Sequence, residues 1–165
     1  MSRDKVPVLP DERWLLEALN LAKFAAAADE VPVGALVVSA DGEVIGKGHN
    51  RRESDQNPLA HAELMAILEA SQTLRSWRLV GCSLYVTLEP CPMCLAACQQ
   101  ARLARVFYGA RDPKGGALSL GFHIHSDLRT HHRFEVAHLE QFESSKECSN
   151  ILSAFFKKKR SDSGS

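Results

Sequence analysis

The sequence SLYVTLEPCPMCLAACQQARLARVFYG, residues 83–109, predicts a strand, a helix and a second strand in direct succession. Ser83 to Leu88 and Arg105 to Gly109 are rich in the β-branched and aromatic residues that favour strands. Pro92 to Ala101, between them, has helical character. Because strand–helix–strand units usually build parallel strands, we expect an α/β domain that contains a parallel strand pair.

Upstream of this unit, the pattern predicts two helices and a hairpin. Apolar residues recur every three or four positions from Asp11 to Ala28, as in a helix with one buried face. Val33 to Ser39 and Glu43 to Gly48 are β-prone runs on either side of an Asp-Gly step, which is typical of a tight hairpin turn. After a polar loop, helical spacing resumes from His61 to Ala70. We therefore expect an antiparallel strand pair between two helices.

Downstream of the unit, Arg111 to His132 has mixed polarity and four Gly or Pro residues. This composition predicts a long loop with one short helical turn. Phe134 to Leu139 is typical of a final strand, and Ser144 to Phe156 has the spacing of a final helix. We expect a single domain over residues 1–160, followed by a disordered tail at residues 161–165.

Length and composition agree with one folded domain. The chain has 165 residues, of which 45% are apolar and 24% charged, and its five cysteines are an odd number that argues against a disulfide framework. No stretch approaches the ~20 consecutive apolar residues that cross a bilayer, and Met1 to Lys5 lacks the apolar block of a signal peptide. We therefore expect a cytoplasmic protein without a membrane partner.

The net charge of zero conceals an uneven distribution of charges along the chain. Residues 99–133 carry six Lys or Arg against two Asp or Glu, a surplus of four positive charges, whereas residues 1–98 carry nine against 13. A local surplus of this kind indicates a basic surface patch, which suits a nucleic-acid partner.

Two short motifs carry the chemistry: HAE at residues 61–63 and PCPMC at residues 90–94. Cys91 and Cys94 lie in the first turn of the predicted helix, so both sulfurs project to one side. The unpaired N–H groups of the helix N-terminus favour the thiolate forms that bind a metal. With His61 as third ligand, a tetrahedral zinc keeps one open position, which is characteristic of catalytic sites. We therefore predict one Zn²⁺ per chain.

Glu63 lies two residues beyond His61, where it can act beside the metal rather than on it. Zinc lowers the pKa of a bound water toward neutrality, and Glu63 can take the proton so that hydroxide adds to a carbon bearing an exocyclic amine. The same carboxyl returns the proton, and ammonia leaves. A His-x-Glu segment together with Pro-Cys-x-x-Cys is the signature of zinc-dependent nucleobase deaminases, which predicts Glu63 as the catalytic proton shuttle.

Beyond these motifs, the sequence resembles the tRNA-specific adenosine deaminases of the bacterial TadA type. The matching stretches are residues 31–35, 49–51, 61–63, 84–91, 109–114 and 155–157. The resemblance implies a cytidine deaminase-like fold, a three-layer α/β/α sandwich with a mixed five-stranded sheet. It also implies a homodimer that converts adenosine to inosine at the wobble position of the tRNA anticodon, with the anticodon arm as its partner.

The resemblance further implies substrate-binding roles. Asn50 would hydrogen-bond the base, whereas Asp112 and Lys114 would contact RNA near the flipped nucleotide. Three residues would line the pocket for the base: Val33, Ala62 and Leu88. The metal ligands and the proton shuttle implied by the resemblance are those already named from the two motifs.

Two other functions stay open on the sequence. A deaminase of a free base or nucleoside, such as guanine, cytosine or cytidine, carries nearly the same zinc motifs, although the RDPK segment at residues 111–114 and the basic C-terminal helix favour RNA. A catalytically silent RNA-binding subunit is the alternative of another class. Glu63 argues against it, because loss of that glutamate is the simplest route to an inactive site.

Four histidines and a basic run allow two interpretations each. His123, His125, His131 and His132 could form a second metal site, but surface histidines are the commoner explanation and the one we adopt. Lys157 to Arg160 either stays solvated at the end of the last helix or contacts phosphates of the anticodon arm. The three cysteines outside the motif are interpreted as small core residues.

Overall fold

Five strands form one mixed sheet in the computed structural model, which describes residues 8–164. The strands are β1 (Gly34–Val38), β2 (Val44–His49), β3 (Ser83–Leu88), β4 (Arg105–Ala110) and β5 (Glu135–His138). Their order across the sheet is β2-β1-β3-β4-β5. Strand β1 is antiparallel to both β2 and β3, whereas β3, β4 and β5 are parallel. The predicted hairpin, the parallel pair and the mixed five-stranded sheet are confirmed.

Within residues 8–164, four helices accompany the sheet, and each begins within one residue of its predicted start. They are α1 (Glu12–Ala27), α2 (Ala62–Leu74), α3 (Pro92–Gln100) and α4 (Glu143–Ser163). A 3₁₀ turn at Ile124–Ser126 is the short helical turn expected in the loop between β4 and β5. Among residues 8–164, no helix combines the length and the apolarity that a bilayer crossing requires.

The sheet has one apolar core on each face, because neighbouring residues of a strand point to opposite sides. In β1, Ala35 and Val37 belong to the core beneath α2 and α3. Leu36 and Val38 belong to the core beneath α1 and α4. The alternation places two helices on each side of the sheet, which confirms the three-layer α/β/α architecture.

Helix α2 packs in backbone contact with β2, and two glycines of β2 make this contact possible. A Cβ atom at Gly46 would overlap the carbonyl oxygen of Ala66, and one at Gly48 would overlap that of Ala62. No larger residue fits at either position without a shift of the helix. The contact fixes the first turn of α2, which carries the His-x-Glu motif, against the end of β2.

The C-terminal helix is longer than the sequence indicated. We expected disorder at residues 161–165, but α4 continues to Ser163. The hydroxyl of Ser163 donates to the carbonyl of Lys159 at 2.8 Å, and Lys159 forms an ion pair with Asp29 at 2.6 Å. This pairing anchors the last turns of α4 next to the end of α1. Ser165 lies outside the described residues, and so does segment 1–7, which includes the Met1 to Lys5 stretch where we expected no signal peptide.

Gly48→Ala should destabilise the fold strongly, because the new methyl group would overlap the backbone of α2. We expect the free energy of unfolding to fall by about 2 kcal/mol or more, as for overpacked cores. Urea denaturation followed by circular dichroism measures the change. Gly164→Ala is the control, since its methyl would meet its nearest neighbour at 3.5 Å. Equal stability of Gly48→Ala and the wild type would contradict the packing described here.

Candidate active site

Three side chains from two helix N-termini meet at one edge of the sheet. His61 is the N-cap of α2, Cys91 is the N-cap of α3, and Cys94 lies in the first turn of α3. Nδ1 of His61 lies 3.4 Å from Sγ of Cys94 and 3.7 Å from Sγ of Cys91. All three potential ligand atoms lie within 4.8 Å of one another. The structure thus brings together the three residues predicted as metal ligands.

The donor set of this cluster can hold a metal ion. Two cysteine sulfurs and one imidazole nitrogen are donors that suit a zinc site, and three protein ligands leave a fourth tetrahedral position open. Within the described part of the chain, it is the only group of three or more His, Cys, Asp or Glu whose ligand atoms are close enough to share an ion. The four histidines downstream therefore form no second cluster of this kind.

We had expected all four histidines at the surface, but only two of them are exposed. His123 and His131 are exposed, but His125 and His132 are half-buried. Nε2 of His132 donates to the carbonyl of Leu103 at 2.6 Å, and its ring stacks on Phe134. The contacts of His132 are those of a residue that packs the β4–β5 loop onto the core.

The two cysteines share one proton unevenly in the absence of a metal, and only Cys91 is favoured as a thiolate. Hydrogen bonds from Cys94 and then from His61 lower the pKa of the Cys91 thiol to about 4, although burial opposes the shift. The pKa of Cys94 is raised, first by the hydrogen bond that it donates to Cys91 and then by burial. The hydrogen bond to Cys91 also raises the pKa of His61. A metal ion that binds here must displace the proton of Cys94.

Glu63 lies beside the cluster, in the first turn of α2, and is only 4% exposed. Burial raises the pKa of its carboxyl and outweighs the hydrogen bond with Cys94, which lowers it. A raised pKa makes this carboxylate a better proton acceptor than that of a free glutamate, as proton transfer requires. Position and pKa therefore suit Glu63 for proton transfer at this site.

Asn50 has a structural task that the sequence did not reveal. Its Oδ1 accepts a hydrogen bond of 2.9 Å from the backbone N–H of Ala62, in the first turn of α2. Its own backbone N–H donates to the carbonyl of Val33 at 3.1 Å. Asn50 therefore caps the helix that carries Glu63, and its side-chain NH₂ group is the part left to face a substrate. Ala62, which we expected in the base pocket, is fully buried in the core beneath α2.

The site opens into a cavity of about 480 Å³, a size typical of small-ligand sites. The predicted site residues that line it are Val33, Asn50, His61, Glu63, Leu88, Cys91, Asp112 and Lys114. Sequence analysis assigned no individual site role to the other lining residues, although Arg111 belongs to the RDPK segment that favoured RNA; they are Val31, Arg52, Glu89, Arg111, Leu152 and Phe156. The last two come from α4; Phe156 lies in the matching stretch 155–157, whereas no motif marks Leu152.

The exposed rim of this cavity carries basic side chains, whereas the ionisable side chains buried inside the cavity include two glutamates. Arg52, Arg111 and Lys114 are exposed, and the latter two belong to the basic segment 99–133. Glu63 and Glu89 are 4% and 3% exposed. A polyanion that approached the cavity would therefore meet positive charges first.

A larger cavity, of about 1010 Å³, lies at the opposite end of β3 and β4, where Gly81, Ala104 and Arg105 line it. Its lining residues include none of the three clustered ligands. This cavity is the larger of the two, but the His61, Cys91 and Cys94 cluster lies at the other end of the sheet. We therefore assign the candidate active site to the smaller cavity.

The α/β/α fold and the cluster with its buried glutamate define a class of protein, the deaminases. Residues 10–160 match the family model described as MafB19-like deaminase. The tRNA-specific adenosine deaminase of Bacillus subtilis (strain 168) is 45% identical over 152 residues, which cover 91% of this chain and 91% of that protein. The chain belongs to the family of tRNA-specific adenosine deaminases.

Two solved structures show the same fold. A structure from a study of A-to-I editing by tRNA:A34 deaminases at the wobble position of transfer RNA is 42% identical, with a TM-score of 0.79. The match covers 86% of this chain and 100% of that chain. A guanine deaminase from Bacillus subtilis is 36% identical, with a TM-score of 0.60, and the match covers 74% of this chain and 78% of that chain.

Asn50→Ala should destabilise the protein, because it removes the cap of α2. We expect the free energy of unfolding to fall by about 1 kcal/mol, the usual cost of a lost helix cap. Asn50→Asp keeps an oxygen acceptor for the N–H of Ala62, so its stability should stay within about 0.5 kcal/mol of the wild type. Urea denaturation of both variants measures the difference. Equal stability of Asn50→Ala and Asn50→Asp would contradict the capping role.

Proposed function

We propose that the chain converts adenosine to inosine at the wobble position of tRNA anticodons, by hydrolytic deamination with one bound Zn²⁺. The observation that carries the proposal is the position of Glu63 beside the His61, Cys91 and Cys94 cluster, in a cavity with a basic rim. The curated relative and the solved tRNA:A34 deaminase support the choice of substrate.

The chemistry requires one nucleophile and one proton carrier. Zinc, held by His61, Cys91 and Cys94, would supply a Lewis acid that makes water nucleophilic at neutral pH. Glu63 would carry two protons in turn: one from the water to a ring nitrogen as the hydroxyl adds to the carbon, and the second from that hydroxyl to the exocyclic amine as the C–N bond breaks. The amine leaves as ammonia, so that one adenosine and one water yield one inosine and one ammonia.

The base would be held by Asn50 and by the apolar wall of the cavity. Because Oδ1 of Asn50 is engaged by the N–H of Ala62, its NH₂ group would donate to an acceptor nitrogen of the base. Val33 and Leu88 line the cavity and would pack against the flat faces of the ring. Recognition of a splayed RNA base commonly combines such hydrogen bonds with packing of the ring.

The anticodon arm would be held at the rim. Arg52, Arg111 and Lys114 are exposed there and can contact phosphates. In α4, Lys159 forms an ion pair with Asp29, whereas its three basic neighbours in residues 157–160 are exposed and can contact RNA as well. A homodimer and a cytoplasmic location are part of the proposal, as expected for this family and for a tRNA substrate.

The substrate is tested by incubation of the purified, zinc-loaded protein with total tRNA and, separately, with adenosine, cytidine and guanine. Sequencing detects inosine in tRNA, and an ammonia assay detects turnover of the small molecules. We expect inosine at anticodon wobble positions only. Ammonia from guanine or a nucleoside, with tRNA unchanged, would refute the tRNA substrate and retain the zinc chemistry. No turnover by the protein alone would favour a silent RNA-binding subunit.

Glu63→Gln should abolish most turnover while zinc stays bound, because the amide cannot carry the proton. We expect a loss of roughly 10²-fold or more in kcat, as for other general acid–base residues. His61→Ala and Cys91→Ser should instead lose the metal, which elemental analysis of the dialysed proteins measures. Wild-type turnover by Glu63→Gln would refute the mechanism, and stoichiometric zinc in His61→Ala would refute the ligand assignment.

A further inference from the structure

Glu89 is a buried carboxylate that the proposed reaction does not use. It directly follows β3 and is 3% exposed. Its Oε1 accepts hydrogen bonds from the hydroxyl of Ser119 at 2.7 Å and from the backbone N–H of Asp112 at 3.4 Å. Its Oε2 accepts a hydrogen bond of 3.0 Å from the backbone N–H of Ser119. All three donors belong to residues 112–119, the segment that follows β4.

This segment folds closely around the carboxylate. A Cβ atom at Gly116 would overlap Oε2 of Glu89, so the segment passes the carboxylate at a distance that only glycine allows. The N–H of Ala117 donates to the carbonyl of Pro90 at 2.8 Å, next to Glu89 in sequence. Residues 111–119 form neither helix nor strand. Their conformation therefore depends on these contacts rather than on a regular backbone ladder.

We propose that Glu89 is a positioning residue for the RNA substrate, and this inference rests on the proposed function. Its carboxylate holds residues 112–119 so that Asp112 and Lys114 line the cavity. The carboxylate of Asp112 in turn accepts hydrogen bonds from the N–H groups of Lys114, at 3.3 Å, and Gly115, at 3.0 Å. A continuous set of hydrogen bonds thus connects the buried end of β3 to the backbone of Lys114 at the rim.

The loop and Glu89 depend on each other because a carboxylate that is buried without hydrogen-bond donors destabilises the fold. Its oxygens must accept hydrogen bonds, and the groups that donate to Glu89 are those of the loop. Without the carboxylate, the N–H groups of Asp112 and Ser119 lose their acceptor, and the loop loses its attachment to β3. RNA binding should therefore weaken, while the proton transfer at Glu63 continues.

The test compares the wild type with Glu89→Ala and Glu89→Gln as full-length, zinc-loaded enzymes on an anticodon-arm RNA. Glu89→Ala should raise KM about 10-fold, as for loss of one charge-assisted hydrogen bond, and kcat should stay within about threefold. Hydrogen exchange at the amides of Asp112 and Ser119 should become about 10-fold faster, while the amides of β3 stay protected. Glu89→Gln keeps one acceptor oxygen and should give intermediate values.

Glu12 offers a matched control. Its carboxylate also accepts hydrogen bonds from the N–H and the hydroxyl of one serine, Ser144, at 3.1 Å and 2.9 Å, but it joins α1 to α4 and does not line the cavity. Glu12→Ala should leave KM unchanged. The inference is overturned by an equal rise of KM in Glu12→Ala, or by unchanged amide exchange in Glu89→Ala. Loss of zinc together with kcat in Glu89→Ala would overturn it too, because Glu89 would then support the metal site.

If Glu89→Ala does not fold, Ser119→Ala replaces it, since this exposed residue loses only its hydroxyl donor. We expect KM to rise about threefold and exchange at residue 119 to accelerate. No change in either quantity would overturn the inference.

Hydrogen exchange does not depend on turnover. A wild-type enzyme inactive on tRNA would therefore refute the proposed function and leave the role of Glu89 in the loop separately testable.

Discussion

The cluster of His61, Cys91 and Cys94 exists because two helices direct their N-termini at the same edge of the sheet. The backbone contact between α2 and β2 fixes the first helix, and the β3–α3–β4 crossover fixes the second. Each helix N-terminus carries unpaired N–H groups and a partial positive charge, which stabilise thiolates. The same geometry buries Glu63 next to the sulfurs. The proposed proton transfer and metal ligation therefore depend on one arrangement of two helices.

Sequence analysis predicted those parts of the molecule that are specified by short stretches of neighbouring residues. A strand, a helix or a hairpin turn is specified by patterns within about a dozen residues, so the strands and helices begin close to their predicted positions. The three residues of the candidate metal site were identifiable for the same reason. Cys91 and Cys94 share one helical turn, and His61 and Glu63 are two residues apart, so each motif can be recognised without knowledge of the fold.

The remaining site residues depend on contacts between distant parts of the chain. Glu89 and Ser119 are 30 residues apart, and Leu152 and Phe156 reach the cavity only because α4 packs beside α1. The cap that Asn50 provides for α2 spans 12 residues of loop. The end of α4 was wrongly expected to be disordered for a similar reason, since the ion pair of Lys159 involves the distant Asp29. Periodicity and composition carry no information on such pairings.

The cavity divides into a floor and a rim, and this division accounts for similarity to both a tRNA deaminase and a guanine deaminase. The floor, with the metal cluster and Glu63, provides what any hydrolytic removal of an exocyclic amine requires. Arg52, Arg111 and Lys114 belong to the rim, where an isolated base has no phosphate to pair with them. These cations lie in the loops that follow β2 and β4, and we expect those loops to favour RNA over a free base. The metal site can therefore stay the same while the substrate differs.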